Sequence, residues 1–111
     1  MKGQEQIIKA RIAGAKPAFV FVNDYDCPTD WFELNDHATV CTAGDNLQSL
    51  DFRFLIGCKV SISAESEKRA KALFNQIKQS GAVVVAACTI QRSQHALNQA
   101  GWAEVWRNNN G

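Results

Sequence analysis

Carboxylates, thiols and one imidazole are concentrated in residues 23–45, a stretch that we call the acidic loop. Its sequence, NDYDCPTDWFELNDHATVCTAGD, holds six of the eleven acidic residues, one of the two histidines and two of the four cysteines, and it has no lysine or arginine. Carboxylates at this density could bind a cation, act as acid and base, or dock onto a basic surface.

Two of these carboxylates, Asp24 and Asp26, directly follow the apolar run AFVFV, which predicts a buried strand over 18–22. Ligands of α/β proteins bind at the carboxyl ends of strands, so this pair could share a divalent cation. An apolar strand followed by Asp-x-Asp resembles the first motif of the haloacid dehalogenase-like phosphotransferases, which implies phosphoester hydrolysis with these two aspartates as metal ligands. Pro28 departs from that motif, which has Thr or Val there, and no paired-Asp motif follows a later strand. A metal-dependent phosphoester hydrolase is therefore an alternative hypothesis.

Cys27, His37 and Cys41 offer a second set of metal ligands in the acidic loop. Their spacing, C-x9-H-x3-C, differs from zinc sites, which are built on tight C-x2-C or H-x3-H pairs. We therefore expect no cofactor, and we expect the cysteines of this chain to be reduced thiols.

Three aromatic side chains lie among the carboxylates of the acidic loop. Large aromatics in a loop either hold it against the body of the protein or form the apolar centre of an interface. The leading hypothesis is a non-catalytic binding protein that uses this loop for a protein partner, for homodimer formation or for a small cationic ligand. The predicted contact residues are Asp24, Tyr25, Asp26, Asp30, Trp31, Phe32, Asp36 and His37.

Charge is unevenly distributed along the chain. Residues 17–52 carry seven acidic and no basic side chains, although the whole chain has a net charge of only +1. Such segregation predicts a dipolar molecule with a docking surface, whereas a solvated loop is the simpler reading.

Nucleic-acid binding is a further alternative, which the small net charge disfavours. Arg53 and Lys59 are predicted on the outer face of one strand, next to a helix that carries Lys68, Arg69 and Lys71. That strand face has no aromatic platform on which bases could stack.

The elements that must position these groups follow from hydrophobic periodicity and capping residues. The predicted helices are 3–13, 64–80 and 94–100, and the strands after the first are 38–42, 52–63, 82–90 and 102–107. In the first helix Ile8 and Ile12 share a face, and Ser63 is the expected cap of the second helix. The alternation FRFLIGCKVSIS indicates one long strand, and the apolar run 82–90 indicates a central one.

These elements predict the α/β (α+β) class, with a single mixed four- to five-stranded sheet, two main helices and one βαβ unit at 52–90. We expect one domain over residues 1–111, with the acidic loop proper at 23–37. The chain begins without a signal peptide and has no membrane span, so a cytoplasmic protein is the expectation.

Overall fold

The computed structural model describes residues 1–15, 17–27, 33–34 and 37–89, so the helix and strand predicted over 94–100 and 102–107 lie outside it. Two α-helices and five strands are described. They are α1 (Gln4–Ile12), β1 (Phe19–Asp24), β2 (Glu33–Leu34), β3 (His37–Cys41), β4 (Lys59–Ala64), α2 (Glu67–Gln79) and β5 (Val83–Thr89).

The strands form one sheet in the order β2-β3-β1-β4-β5. β1 pairs in parallel with both β3 and β4, and β4 pairs in parallel with β5. The short β2 runs antiparallel to β3. The predicted α/β fold with a mixed sheet and two main helices is confirmed. The βαβ unit is formed by β4, α2 and β5.

Both faces of the central strands are buried, as expected for parallel strands. On one face, valines and isoleucines of β1, β3 and β4 pack with Ile7 of α1 and with Leu73 and Ile77 of α2 in one apolar core. On the opposite face, Phe19 and Phe21 pack edge to face with ring centroids 4.7 Å apart. β-branched and aromatic residues on the central strands thus form the packed sheet from which the acidic loop extends.

The long strand predicted over 52–63 is wrong in its first half. Residues Arg53–Leu55 form a 3₁₀ turn, and β4 begins only at Lys59. Phe52, Leu55 and Cys58 are buried whereas Ile56 is 48% exposed, so the side chains follow a period of three. In the sequence, Phe52, Phe54, Ile56 and Cys58 satisfy a period of two, which is why the alternation was misleading.

Both helices lie close to their predicted positions, but the buried residue of α1 and the N-terminal cap of α2 differ from the predictions. In α1 the buried residue is Ile7, whereas Ile12, predicted to share a face with Ile8, is 81% exposed. In α2 the cap is Ser66, whose hydroxyl accepts from the amide of Arg69, and not Ser63. The strand runs on to Ala64, so the helix starts three residues later than expected.

β5 lies at the end of the described strand order, not at the centre as its apolar run suggested. Val83, its first residue, is 52% exposed. The other described side chains of β5 are half-buried or exposed, so a continuous apolar run does not distinguish a central strand from an outer one. Neither of the two described α-helices is long and apolar enough to cross a membrane.

Candidate functional site

The carboxyl ends of β1, β3 and β4 meet at one edge of the sheet, which we call the carboxyl edge. The chain leaves β1 for β3 on one side, and β4 then lies on the other side of β1. In open α/β sheets, this change of direction opens a crevice in which ligands bind. The acidic loop begins here, because it starts at Asn23, the penultimate residue of β1.

Asp24 forms a partly buried ion pair with Arg69 across this edge. The Arg69 Nε and Nη2 atoms donate to the two Asp24 carboxylate oxygens at 2.7 and 2.8 Å, and the Thr42 hydroxyl donates to Oδ1 at 2.8 Å. The carboxylate is 6% exposed and the guanidinium 36%. The hydrogen bonds and charge of Asp24 raise the pKa of Arg69 further above its ordinary value. A fork-to-fork pair of this kind ties the base of the acidic loop to the first turn of α2.

Arg69 also contacts Asp45 at the far end of the acidic loop. Arg69 Nη2 donates to the carbonyl of Asp45 at 3.4 Å, and the Asp45 carboxylate lies 3.2 Å from the amino group of Met1. Two of the aspartates of the loop are therefore neutralised within the chain.

On the other side of β1, three polar side chains form a buried chain of hydrogen bonds. The Ser63 hydroxyl donates to the Asn23 Oδ1 atom at 2.7 Å and lies 2.8 Å from the Tyr25 hydroxyl. Ser63 is on β4 and Asn23 on β1, so this chain links the two strands at the crevice and fixes the first turn of the acidic loop.

Two thiols lie against the backbone of Tyr25. Cys41 Sγ donates to the Tyr25 carbonyl at 2.9 Å, and Cys27 Sγ donates to it at 3.4 Å. A hydrogen bond from Cys27, which stabilises the deprotonated form of Cys41, lowers the pKa of Cys41 to about 6, with help from the amides of Ala43 and Cys27 and against the effect of burial. The same hydrogen bond raises the pKa of Cys27.

The predicted contact residues fall into different environments. Asp24 and Tyr25 are buried, and Asp26 is exposed and forms no ion pair with any described residue. His37 is the first residue of β3, and its side chain lies outside the described part. The other predicted contacts, Asp30, Trp31, Phe32 and Asp36, also lie outside the described residues.

The described residues give little geometric support to the hypothesis that Asp24 and Asp26 bind a metal ion. Both oxygens of the Asp24 carboxylate accept hydrogen bonds from Arg69, so this side chain serves an ion pair in the folded chain. Within residues 1–15, 17–27, 33–34 and 37–89, no three His, Cys, Asp or Glu side chains are grouped so as to hold a metal ion.

The basic strand face predicted for nucleic acid is also rearranged. Arg53 lies in the 3₁₀ turn and not on β4, and its guanidinium pairs with Asp51. It therefore shares no strand face with Lys59, which begins β4.

Sequence reasoning missed Arg69, Thr42 and Ser63 as members of this site. One signal was present: residues 17–52 hold no basic residue, so a carboxylate buried at the end of β1 needs a cation from a later element. The first turn of the helix after a neighbouring parallel strand is where such a cation can reach it.

Comparison with known proteins leaves the chain without an assigned family, because no family model, no curated protein and no solved structure matches it.

Proposed function

We propose that this protein is a non-catalytic binding protein whose acidic loop docks onto a basic protein surface. The observation that carries the proposal is the state of the carboxylates. Asp24 and Asp45 are neutralised inside the chain by Arg69 and by the terminal amine, whereas Asp26 is exposed without an ion pair among the described residues. The loop therefore presents negative charge that its own base does not cancel.

A rigid base supports the same proposal. The Asp24–Arg69 ion pair, the Asn23–Ser63 hydrogen bond and the Tyr25 hydroxyl all fix the point where the loop leaves β1. Binding costs less free energy when the contact surface is held in place beforehand. Tyr25, 4% exposed, belongs in this proposal to the anchoring of the loop and not to its contact surface.

Calorimetric titration with poly-L-lysine tests the proposal. The variant Asp26→Asn, Asp30→Asn, Asp36→Asn removes three charges from the loop and should weaken binding by about tenfold, with a heat of binding that falls as salt is raised. The matched control, Glu5→Gln, Glu67→Gln, Glu104→Gln, removes the same charge outside the loop and should bind like the parent chain. Equal weakening in both variants would mean that overall charge, and not the loop, attracts the polycation.

The aromatic pair of the loop provides a second test. Replacing Trp31 and Phe32 with alanine should weaken capture of the partner more than it lowers the melting temperature, because apolar anchors carry most of the energy of an interface. If only the melting temperature fell, the two aromatics would serve to hold the loop on the protein. Sedimentation of the chain alone identifies a second copy as the partner if self-association disappears in the loop variant.

A further inference from the structure

Cys27 and Cys41 lie at the two sides of the acidic loop, and their sulfur atoms meet over one carbonyl. In their protonated forms both thiols donate to the Tyr25 oxygen, at 3.4 and 2.9 Å. Their side chains are 8% and 3% exposed, and with Tyr25 they form a small cluster separate from the main core. The fold thus brings two sulfur atoms, fourteen positions apart in the chain, to the same carbonyl oxygen and into one cluster.

The two thiols differ in acidity in the way a reactive pair requires. The pKa of Cys41 is lowered to about 6, and the positive charge of Lys2 adds to the effect, so Cys41 gives up its proton more readily than an ordinary thiol. Cys27, whose pKa is raised, keeps its proton. A thiolate next to a protonated thiol is the arrangement found where one cysteine is oxidised first and a second one resolves it.

Cys58 provides an internal comparison. It is fully buried in the apolar core, and its sulfur accepts a hydrogen bond from Arg11 at 3.5 Å. It lies in a different cluster from Cys27 and Cys41, so nothing in the fold prepares it to form a disulfide with either of them.

We propose that Cys27 and Cys41 are a redox modification site at which a peroxide forms a reversible disulfide. The Cys41 thiolate attacks one oxygen of hydrogen peroxide, and the O–O bond breaks to give Cys41 sulfenic acid and hydroxide, which takes up a proton. The Cys27 sulfur, losing its proton, then attacks the Cys41 sulfur, and the S–O bond breaks with release of water. Two thiols lose two electrons and one peroxide gains them, giving one disulfide and two waters.

This disulfide would close residues 28–40 into a covalent ring. The ring contains Asp30, Trp31, Phe32 and Asp36, so oxidation restrains the whole tip of the acidic loop. The proposal holds whether or not the loop docks onto a basic partner.

Mass spectrometry of tryptic peptides tests the site on the unmodified chain. Trypsin does not cleave before Pro17, so peptide 12–53 carries both Cys27 and Cys41, whereas Cys58 lies in 54–59 and Cys88 in 79–92. After peroxide and then N-ethylmaleimide in denaturant, peptide 12–53 should be lighter by two hydrogen atoms and unlabelled. The other two peptides should take up the label, and dithiothreitol should restore labelling of the first.

Cleavage before aspartate identifies the partners. It cuts the chain at Asp30 and Asp36, between the two cysteines, so fragments that remain joined until reduction locate the bond. In Cys27→Ser the reaction should stop at Cys41 sulfenic acid, which dimedone traps, and in Cys41→Ser the Cys27 thiol should stay reduced. Free thiols at both positions after peroxide, or a disulfide to Cys58 or Cys88, would overturn the proposal.

Discussion

The Asp24 carboxylate needs a charged partner in the folded protein. It lies at the end of a central strand with 6% of its side chain exposed, and an unpaired charge at such a depth carries a large desolvation cost. Arg69 offsets this cost with two parallel hydrogen bonds, and Thr42 supplies a third. The ion pair therefore acts mainly against the penalty of burial, which is why the loss of one partner matters more than the pair itself.

Replacing Arg69 with alanine should lower the free energy of unfolding by about 2 kcal/mol, less than for a fully buried pair because the guanidinium is partly exposed. Arg69→Lys should recover only part of this, since an ammonium cannot form the two-pronged contact. Urea denaturation measures both variants. Adding Asp24→Asn to Arg69→Ala should restore stability by removing the unpaired charge.

Lys71 is the matched control for this experiment. It pairs with Glu67 one turn away on the exposed side of the same helix, with both side chains more than 70% exposed. Lys71→Ala should cost about 0.3–0.5 kcal/mol. An equal loss in Arg69→Ala would show that the Asp24 pair contributes no more than a surface ion pair.

The candidate site could be predicted from the sequence only in its location. Asp24 and Asp26 after an apolar run place a polar site at the carboxyl end of a strand, and the structure has Asp24 there. The roles of Arg69 and Ser63 depend on which strands are neighbours, and Ser63 also preceded an apparent helix, so it suggested a cap. Local sequence patterns do not show which residues far apart in the chain will be in contact.

At the scale of elements, helix α1 packs the face that carries Ile7 and exposes Ile12. In α1, Ile7 is 1% exposed and joins the main core, whereas Ile12, near the end of the helix, is 81% exposed. The helix is short and mostly polar, so its sequence supports more than one choice of buried face. Contact with the 3₁₀ turn Arg53–Leu55 decides between them.

Ile7→Ala should therefore destabilise the protein by about 2–4 kcal/mol, because it leaves a cavity in a closed core. Ile12→Ala, the same change on the same helix, should alter the free energy of unfolding by no more than about 0.5 kcal/mol. Thermal or urea unfolding of the two variants measures the difference. Similar losses for both would contradict the orientation of α1 in the structure.

The class of the fold was within reach of the sequence because β1, β3 and α2 each carry a strong and unambiguous pattern. Where a period of two and a period of three overlap, as in residues 52–58, the structure follows the period of three, which buries Phe52, Leu55 and Cys58 in the core that contains both helices. No local pattern in the sequence determines the strand order. β5 lies at the end of the described strand order, although its apolar sequence suggested a central strand.

At the scale of the whole molecule, the sheet brings opposite charges together across a long stretch of chain. The acidic residues of 17–52 begin beside α2, a helix with four basic residues, and one of these is Arg69. Within the described part of the chain, this neutralisation by α2 is seen at the base of the acidic loop. The residual charge asymmetry is a property of the entire fold and not of one motif.

The strand order also determines the course of folding. β1 comes first among the strands, yet it lies between β3 and β4, and its Phe19 pairs with Lys59 of β4. The unit β4–α2–β5 forms contacts over shorter separations in the chain than the pairing of β1 with β4, so we expect it to form the folding nucleus and β1 to join β4 late. Leu73→Ala in α2 should then slow refolding, whereas Val20→Ala in β1 should mainly speed unfolding, as measured by stopped-flow kinetics in urea. The reverse pattern would assign the nucleus to β1.

Until β4 has been synthesised, the apolar run Phe19–Val22 has no partner on that side and is prone to self-association. Pro17 precedes the run and Asp24 and Asp26 follow it, which is how gatekeeper residues flank an unavoidable hydrophobic strand. The carboxylate that Arg69 neutralises in the folded protein would therefore have an earlier use, keeping the nascent chain from aggregating before Arg69 has been made.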